Sequence, residues 1–382
     1  NGGSDSFNSA AGGDWALAEN LSSVTHDRAI ESDLTISGVS TFTGGSGVIK
    51  GHNSGHAFEV TADNAVTVDG THQFSGISDV DAGTGTDGVT AIAEVTLAGS
   101  DGAFNTSAMD FTGIDEAAAS DLQGSTAAET YTLQDSGALE VAGIEFTGLS
   151  NVNAGAGVDQ EDQVVSRGGQ DFTLNADKSV DHDGILFSEV EGFSAPDDAS
   201  LDASAFVAGL VLTGNTREVT ADDITFSGLT SADTTSLTGS TGDDVFALAN
   251  SNITARLIQF TGVTSVTAGG SGNSVESASG IDWSLLAADS AQSSNGVTFD
   301  GFSSIDTDAA TLTGTAGDDA FTLTGSEADG ATVAYGDMAF TGLSGVLGNG
   351  STYDAITNPN VAGDQLDASG YSDALALTGT DG

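Results

Sequence analysis

The amino-acid sequence predicts an all-β protein, a right-handed parallel β-solenoid with about 18–19 residues per coil, and three observations carry that prediction. First, a Phe followed by Thr or Ser and then Gly recurs at Phe42, Phe74, Phe111, Phe146, Phe226, Phe260 and Phe340, with looser copies at Phe187 and Phe299. Successive markers lie 32 to 41 residues apart, a period of about 37, and a fixed period of this order is the mark of stacked repeats. Second, the flanks of the marker alternate as a strand does, with residues i and i+2 on one face. Third, a second aromatic falls between most markers, at Phe58, Tyr131, Phe172, Phe206, Phe246, Trp283 and Phe321, which divides each period into two coils. Tandem β-sandwich repeats are the alternative, because short, evenly spaced strands also close into sandwiches.

Taken in order, residues 1–35 form an N-terminal segment in which "DWALAENL" (14–21) predicts a short helix, and residues 36–382 form the repetitive solenoid. A second short helix is predicted over "DWSLLAADS" (282–290). Within each repeat the residue two before the Phe is apolar in seven of nine copies, the exceptions being Ser40 and His72. Two residues after the Phe, eight of nine copies carry Gly, with Glu189 the exception; glycine there predicts a bend that other residues adopt poorly. Six residues after it all nine are apolar, from Val48 to Val346, so a second inward strand follows the bend. Phe74, Phe111, Phe146, Phe187, Phe226, Phe260, Phe299 and Phe340 are therefore the predicted core, with Phe146, Phe226, Phe260 and Phe340 stacked in one column. At ~4.8 Å per coil, some twenty coils would form a rod on the order of 100 Å long. A larger echo, "LDASAFVAGLVLTG" from Leu201 and "LDASGYSDALALTG" from Leu366, predicts duplicated blocks.

Composition limits the function. The chain has 382 residues, 56 Asp plus Glu against 6 Lys plus Arg, and a formal charge of −50. Nucleic acids and anionic membranes need a basic patch, so neither is expected as a partner. No apolar run approaches the ~20 residues that span a bilayer, so no membrane insertion is expected. With no Cys there is neither a disulfide nor a thiolate site. An apolar share of 38% and 18 Phe supply enough burial for a folded chain despite the charge. Both ends read as interrupted repeat phrases, which predicts a segment of a longer array that pairs end to end with copies of itself.

Two phrases raise the question of chemistry: "GSTGDDVFA" from Gly239 and "GTAGDDAFT" from Gly314. Their acids, Asp243, Asp244, Asp318 and Asp319, are the candidate metal ligands, with calcium the candidate ion. Calcium takes six to eight oxygens, and a single turn offers fewer, so the competing reading is Asp as a turn former accepting backbone N–H bonds. His52 and His56 in "GHNSGH" have ligand spacing only on a helix, which two glycines oppose. His72 reads as a hydrogen-bonded residue near the core, and Trp15 and Trp283 as core aromatics. The six cations are scattered, no nucleophile elbow, phosphate loop or H-E-x-x-H occurs, and no enzyme is expected.

The phrases "LTGTAGDDAFTL", "GIEFTGLSNVNAGAGVD" and "ITFSGLTSADTTSLTGSTGDDVF" resemble the long β-strand-repeat proteins of bacterial surfaces, similar to the stalks of filamentous-haemagglutinin-like adhesins. The Gly239 and Gly314 phrases resemble degenerate, isolated copies of the calcium-binding RTX nonapeptide, with Ser240 and Thr315 in place of its second glycine. These resemblances imply an extracellular fibre, adhesin stalk or matrix filament at the bacterial cell surface that does no chemistry, or else a calcium- or glycan-binding adhesive module with surface glycans as partners.

Overall fold

The computed structural model describes residues 6–9, 13–18, 23–26, 34–37, 39–134, 136–155, 161–166, 171–315, 319–326, 330–347 and 365–371. Among them every regular element is a β-strand, and stacked coils form a β-solenoid of about 10 turns. The chain divides into two compact units: residues 1–170 with 179–196, and residues 171–178 with 197–382.

The coil is longer than the aromatic spacing predicts. Parallel partners are separated by one full coil, which is 27 residues from Leu210 to Leu237 and 35 from Ile305 to Phe340. The reason is a local one. Between the second aromatic and the Phe marker the chain does not travel round the coil but folds back twice on itself. In the second unit, Val245–Ala249 runs antiparallel to Asn252–Ala255, which runs antiparallel to Ile258–Thr261. Phe246 and Phe260, spaced like half-turns, are thus on the two outer strands of one antiparallel meander, whereas Phe206 precedes the first strand of its meander, Leu210–Leu212.

Each meander is bonded into the solenoid on both sides. Phe246 on its first strand lies beside Val275 of the following coil, and Phe260 on its last strand lies beside Ala232 of the preceding one. In the second unit this gives one ladder running Ala232, Phe260, Ile253, Leu248, then through Phe246 to Val275, Ile305 and Phe340. A separate ladder runs Phe226, Val219, Leu212, then through Leu210 to Leu237, Val266 and Phe299. Phe226 and Phe260 therefore do not share a column, as the repeat had suggested; from Phe226 to Phe340 successive markers alternate between two walls, whereas Phe42 and Phe74 are direct partners in one column. The first unit is built alike, with Phe74 and Phe146 in one wall and Phe111 and Phe187 in the other.

All eight predicted marker phenylalanines are buried, as are the seven second aromatics. Rings from opposite walls meet in the core: Phe302 packs edge-on against both Phe246 and Phe299, at 5.3 and 5.5 Å. In the first unit Phe187 meets Phe193 at 6.0 Å. Trp15 and Trp283 are buried, and Trp15 packs on Phe42 and Phe74.

Both predicted helices are strands where they are described. Trp15–Leu17 and Trp283–Ala287 alternate buried and exposed residues, so Trp283 and Leu285 point inward while Ser284 and Leu286 face out. Each is the first strand of a meander and gains backbone partners on two sides, against which weak helical propensity does not compete. The 201/366 echo has a structural counterpart, since Leu201 pairs with Phe172 and Leu366 with Phe321, each beside a second aromatic.

The bend two residues after the marker is present at every marker but Phe42, where the positive φ falls on Ser46 instead of Gly44. Gly76, Gly113, Gly148, Gly228, Gly262, Gly301 and Gly342 all have positive φ, and Glu189 adopts the same conformation at φ 57°. At Gly76 a Cβ would lie 1.6 Å from the Gly44 carbonyl oxygen of the neighbouring coil, so both conformation and space demand glycine.

Candidate functional site

The acids singled out in the sequence stand at a corner of the coil, two residues before an inward aromatic. Asp244 precedes the strand Val245–Ala249 and Asp319 precedes Ala320–Ser326. Both are buried, Asp244 to 1% exposure. Asp243 is exposed, and Asp318 lies outside the described residues.

The Asp244 carboxylate is fully engaged by protein groups. Its Oδ2 accepts the Ser240 backbone N–H at 2.6 Å and the Ser240 hydroxyl at 2.8 Å, and its Oδ1 accepts Arg256 Nε at 2.6 Å. Arg256 Nη2 also donates to the Asp243 carbonyl at 3.0 Å. Here the turn-forming role is realised, with a guanidinium as the counter-charge. Asp319 Oδ1 accepts the Thr315 hydroxyl at 2.8 Å, as Asp244 accepts Ser240. Among the described residues no group of three or more His, Asp or Glu is arranged to hold a metal ion.

The register brings together further residues at this corner that the motifs did not reveal. Position by position, the residue two before each inward column residue stacks on its counterpart in the next coil, and each backbone N–H donates to the side chain above it. Asp244 N donates to Asn273 Oδ1 at 2.8 Å. In the first unit His56 N donates to Asp87 Oδ1 at 2.6 Å, and Asp87 N to Asp115 Oδ2 at 2.9 Å. A third stack has Glu129 N donating to Asp162 Oδ1 at 2.7 Å and Asp162 N to Glu191 Oε2 at 2.8 Å. The corners are thus polar ladders built by the repeat. The available signal in the sequence was a polar residue two before an apolar column position, readable only once the register is known.

How each ladder handles charge differs. His56 Nδ1 meets Asp69 Oδ2 at 3.0 Å, with histidine at the corner and the acid on the meander turn. At Asp244 and Arg256 the acid stands at the corner and the basic residue on the turn. Asp87 is wholly buried and its Oδ2 has no hydrogen-bond partner; burial is the main cause that raises its pKa above the usual carboxylate range. The ladder through Asn273 avoids the matter by using a neutral amide. In the third ladder burial, Glu129 and Glu191 together push Asp162 up to about 6, and the Tyr131 hydroxyl beside it is raised by burial and by the same acids.

His72 is half-buried, bonded to Thr71 Oγ1 at 2.9 Å and stacked on Phe42, and His52 and His56 lie on a turn rather than a helix. Compared with known protein families, curated proteins and solved structures, the chain matches none.

Proposed function

We propose that the protein is an extracellular structural protein, a β-solenoid segment of a bacterial surface fibre, adhesin stalk or matrix filament, which assembles end to end with copies of itself. The observation that supports this reading most is the construction of the walls. In each unit long backbone ladders join coil to coil, and the large side chains point inward to a core of stacked aromatic and aliphatic residues. Such repeat-to-repeat bonding makes stability a sum over neighbours, which suits an element whose task is length. Terminal coils of a solenoid present strand edges, and pairing of such edges between copies adds backbone hydrogen bonds without a change of fold. The charge of −50 opposes lateral bundling at low salt while leaving axial contacts open.

Electron microscopy and sedimentation of the purified protein test the assembly, with filaments or axial oligomers expected and a monomer at high concentration in high salt refuting it. Calorimetry with calcium and with chelator addresses the adhesive-module alternative, because an ion held by the native state raises the unfolding temperature. The structural reading expects no calcium-dependent rise.

A further inference from the structure

The Glu129, Asp162 and Glu191 ladder differs from its counterparts in one respect. In the equivalent ladder of the second unit the middle position is Asn273, whose amide oxygen accepts the Asp244 N–H without carrying charge. At two corners a basic residue pairs with an acid between the corner and the meander turn: Arg256 with Asp244, and His56 with Asp69 in exchanged places. At Asp162 the middle position is an acid that is 1% exposed, placed between two further acids. The groups that face it among the described residues are the carboxylates of Glu129 and Glu191 and the Tyr131 hydroxyl. Glu129 is itself held by the backbone N–H and hydroxyl of Ser125. No Lys, Arg or His is among these neighbours. Asp162 and Glu129 are joined through the Glu129 backbone N–H, which donates to Asp162 Oδ1 at 2.7 Å, so the two acids stand on adjacent coils at one corner.

We propose that the stacked carboxyl groups of Glu129, Asp162 and Glu191 form a proton-operated latch in the first unit: a proton held at Asp162 closes three coils on one another at this corner, and its loss loosens them. The backbone bonds to Asp162 Oδ1 and from Asp162 N tie the coil through Val164 to the coils through Tyr131 and Phe193. Deprotonation leaves three like charges at a corner from which water is largely excluded, where mutual repulsion is weakly screened. The direction follows from linkage. Asp162 titrates near 6 when folded and near the ordinary carboxylate value of 3.8 when unfolded. As pH rises from about 4 to about 6, the unfolded chain releases this proton before the folded one does. The corner's contribution to stability therefore falls across that window and stays lost above it.

The test uses the full chain and its Asp162→Asn variant, which places at this ladder the residue found at position 273. The Asp162 side-chain carboxyl carbon is followed by NMR from pH 3.5 to 8, with amide exchange at Glu129 and urea unfolding measured over the same range. The expected results are a carboxyl midpoint near pH 6 and a Glu129 amide whose opening equilibrium rises on the order of 10–100-fold across the transition. The unfolding midpoint should fall between pH 4.5 and 7 more steeply in the wild type than in Asp162→Asn, which should be the more stable protein at pH 7.5. A carboxyl midpoint in the ordinary range near 4 would overturn the latch, and so would an unchanged pH slope in the variant. Should Asp162→Asn fail to fold, the wild-type carboxyl titration alone decides between the two.

Discussion

Replacing Arg256 by Gln isolates the counter-charge at the Asp244 corner. Asp244 is buried to 1% exposure and holds three donors, two from Ser240 and one from Arg256. Removing the guanidinium leaves a carboxylate that keeps the Ser240 N–H and hydroxyl but has no opposite charge. Breaking a fully buried pair costs about 3–5 kcal/mol. The Arg256 side chain is 28% exposed, so water reaches part of the vacated space and reduces that figure. Loss of the bond to the Asp243 carbonyl adds about 1 kcal/mol. The net expectation is about 2–3 kcal/mol of destabilisation, read from urea unfolding as a lower midpoint. In the double variant Asp244→Asn with Arg256→Gln the buried charge is gone, the Asn side-chain oxygen still accepts from Ser240, and at least half of the loss should return. The cycle is informative because each change removes one charge without emptying the core. If Arg256→Gln costs under about 0.5 kcal/mol, or if the second change deepens the loss, the view that this corner requires charge compensation is wrong.

Three further outcomes are expected. Phe260→Ala, which removes a wholly buried ring from the strand paired between those of Ala232 and Ile253, should cost about 3–5 kcal/mol by chemical denaturation. Glu189→Gly should stabilise the first unit by about 0.5–1 kcal/mol, because Glu189 is exposed and holds the positive φ that glycine supplies at the other bends; thermal unfolding reads this as a raised midpoint. Gly76→Ala should destabilise by more than about 2 kcal/mol, since its new methyl meets the backbone of the adjacent coil, and a neutral result would mean that the two coils can separate there without loss.

Much of the repeat is legible in the sequence. The positions two before, two after and six after each Phe map onto an inward residue, a bend and a second inward strand. The exceptions are Ser40, His72, Val48 and Val346, all only half-buried, and at Val48 the positive φ of Ser46 inserts an extra residue so that Ile49 takes the inward place. Coil length was misjudged because an alternating strand pattern looks the same whether its neighbour runs parallel or antiparallel. Phe246 and Phe260 lie 14 residues apart, and that spacing fits a half-coil as well as it fits the outer strands of a meander. The corner ladders were partly visible through Asp244 and Asp319. The remaining members vary among His, Asp, Glu and Asn, so only the register shows that His56 and Asp87, or Glu129 and Asp162, are equivalent places in successive coils.

The alternation of the meanders between walls fixes how evenly a unit grows. In the second unit each meander contributes three strands to its own wall, and two single strands, such as those through Val275 and Ile305 or through Leu237 and Val266, separate it from the next. Over two periods both walls therefore advance by five strands. Were all meanders on one side, that side would gain two extra strands at every turn, about 10 Å at 4.7–4.9 Å per strand, and the stack would arch toward the poorer wall. The two-period rhythm acts as a levelling rule: deleting residues 245–261 should bend the unit, whereas deleting a matched pair of periods should only shorten it.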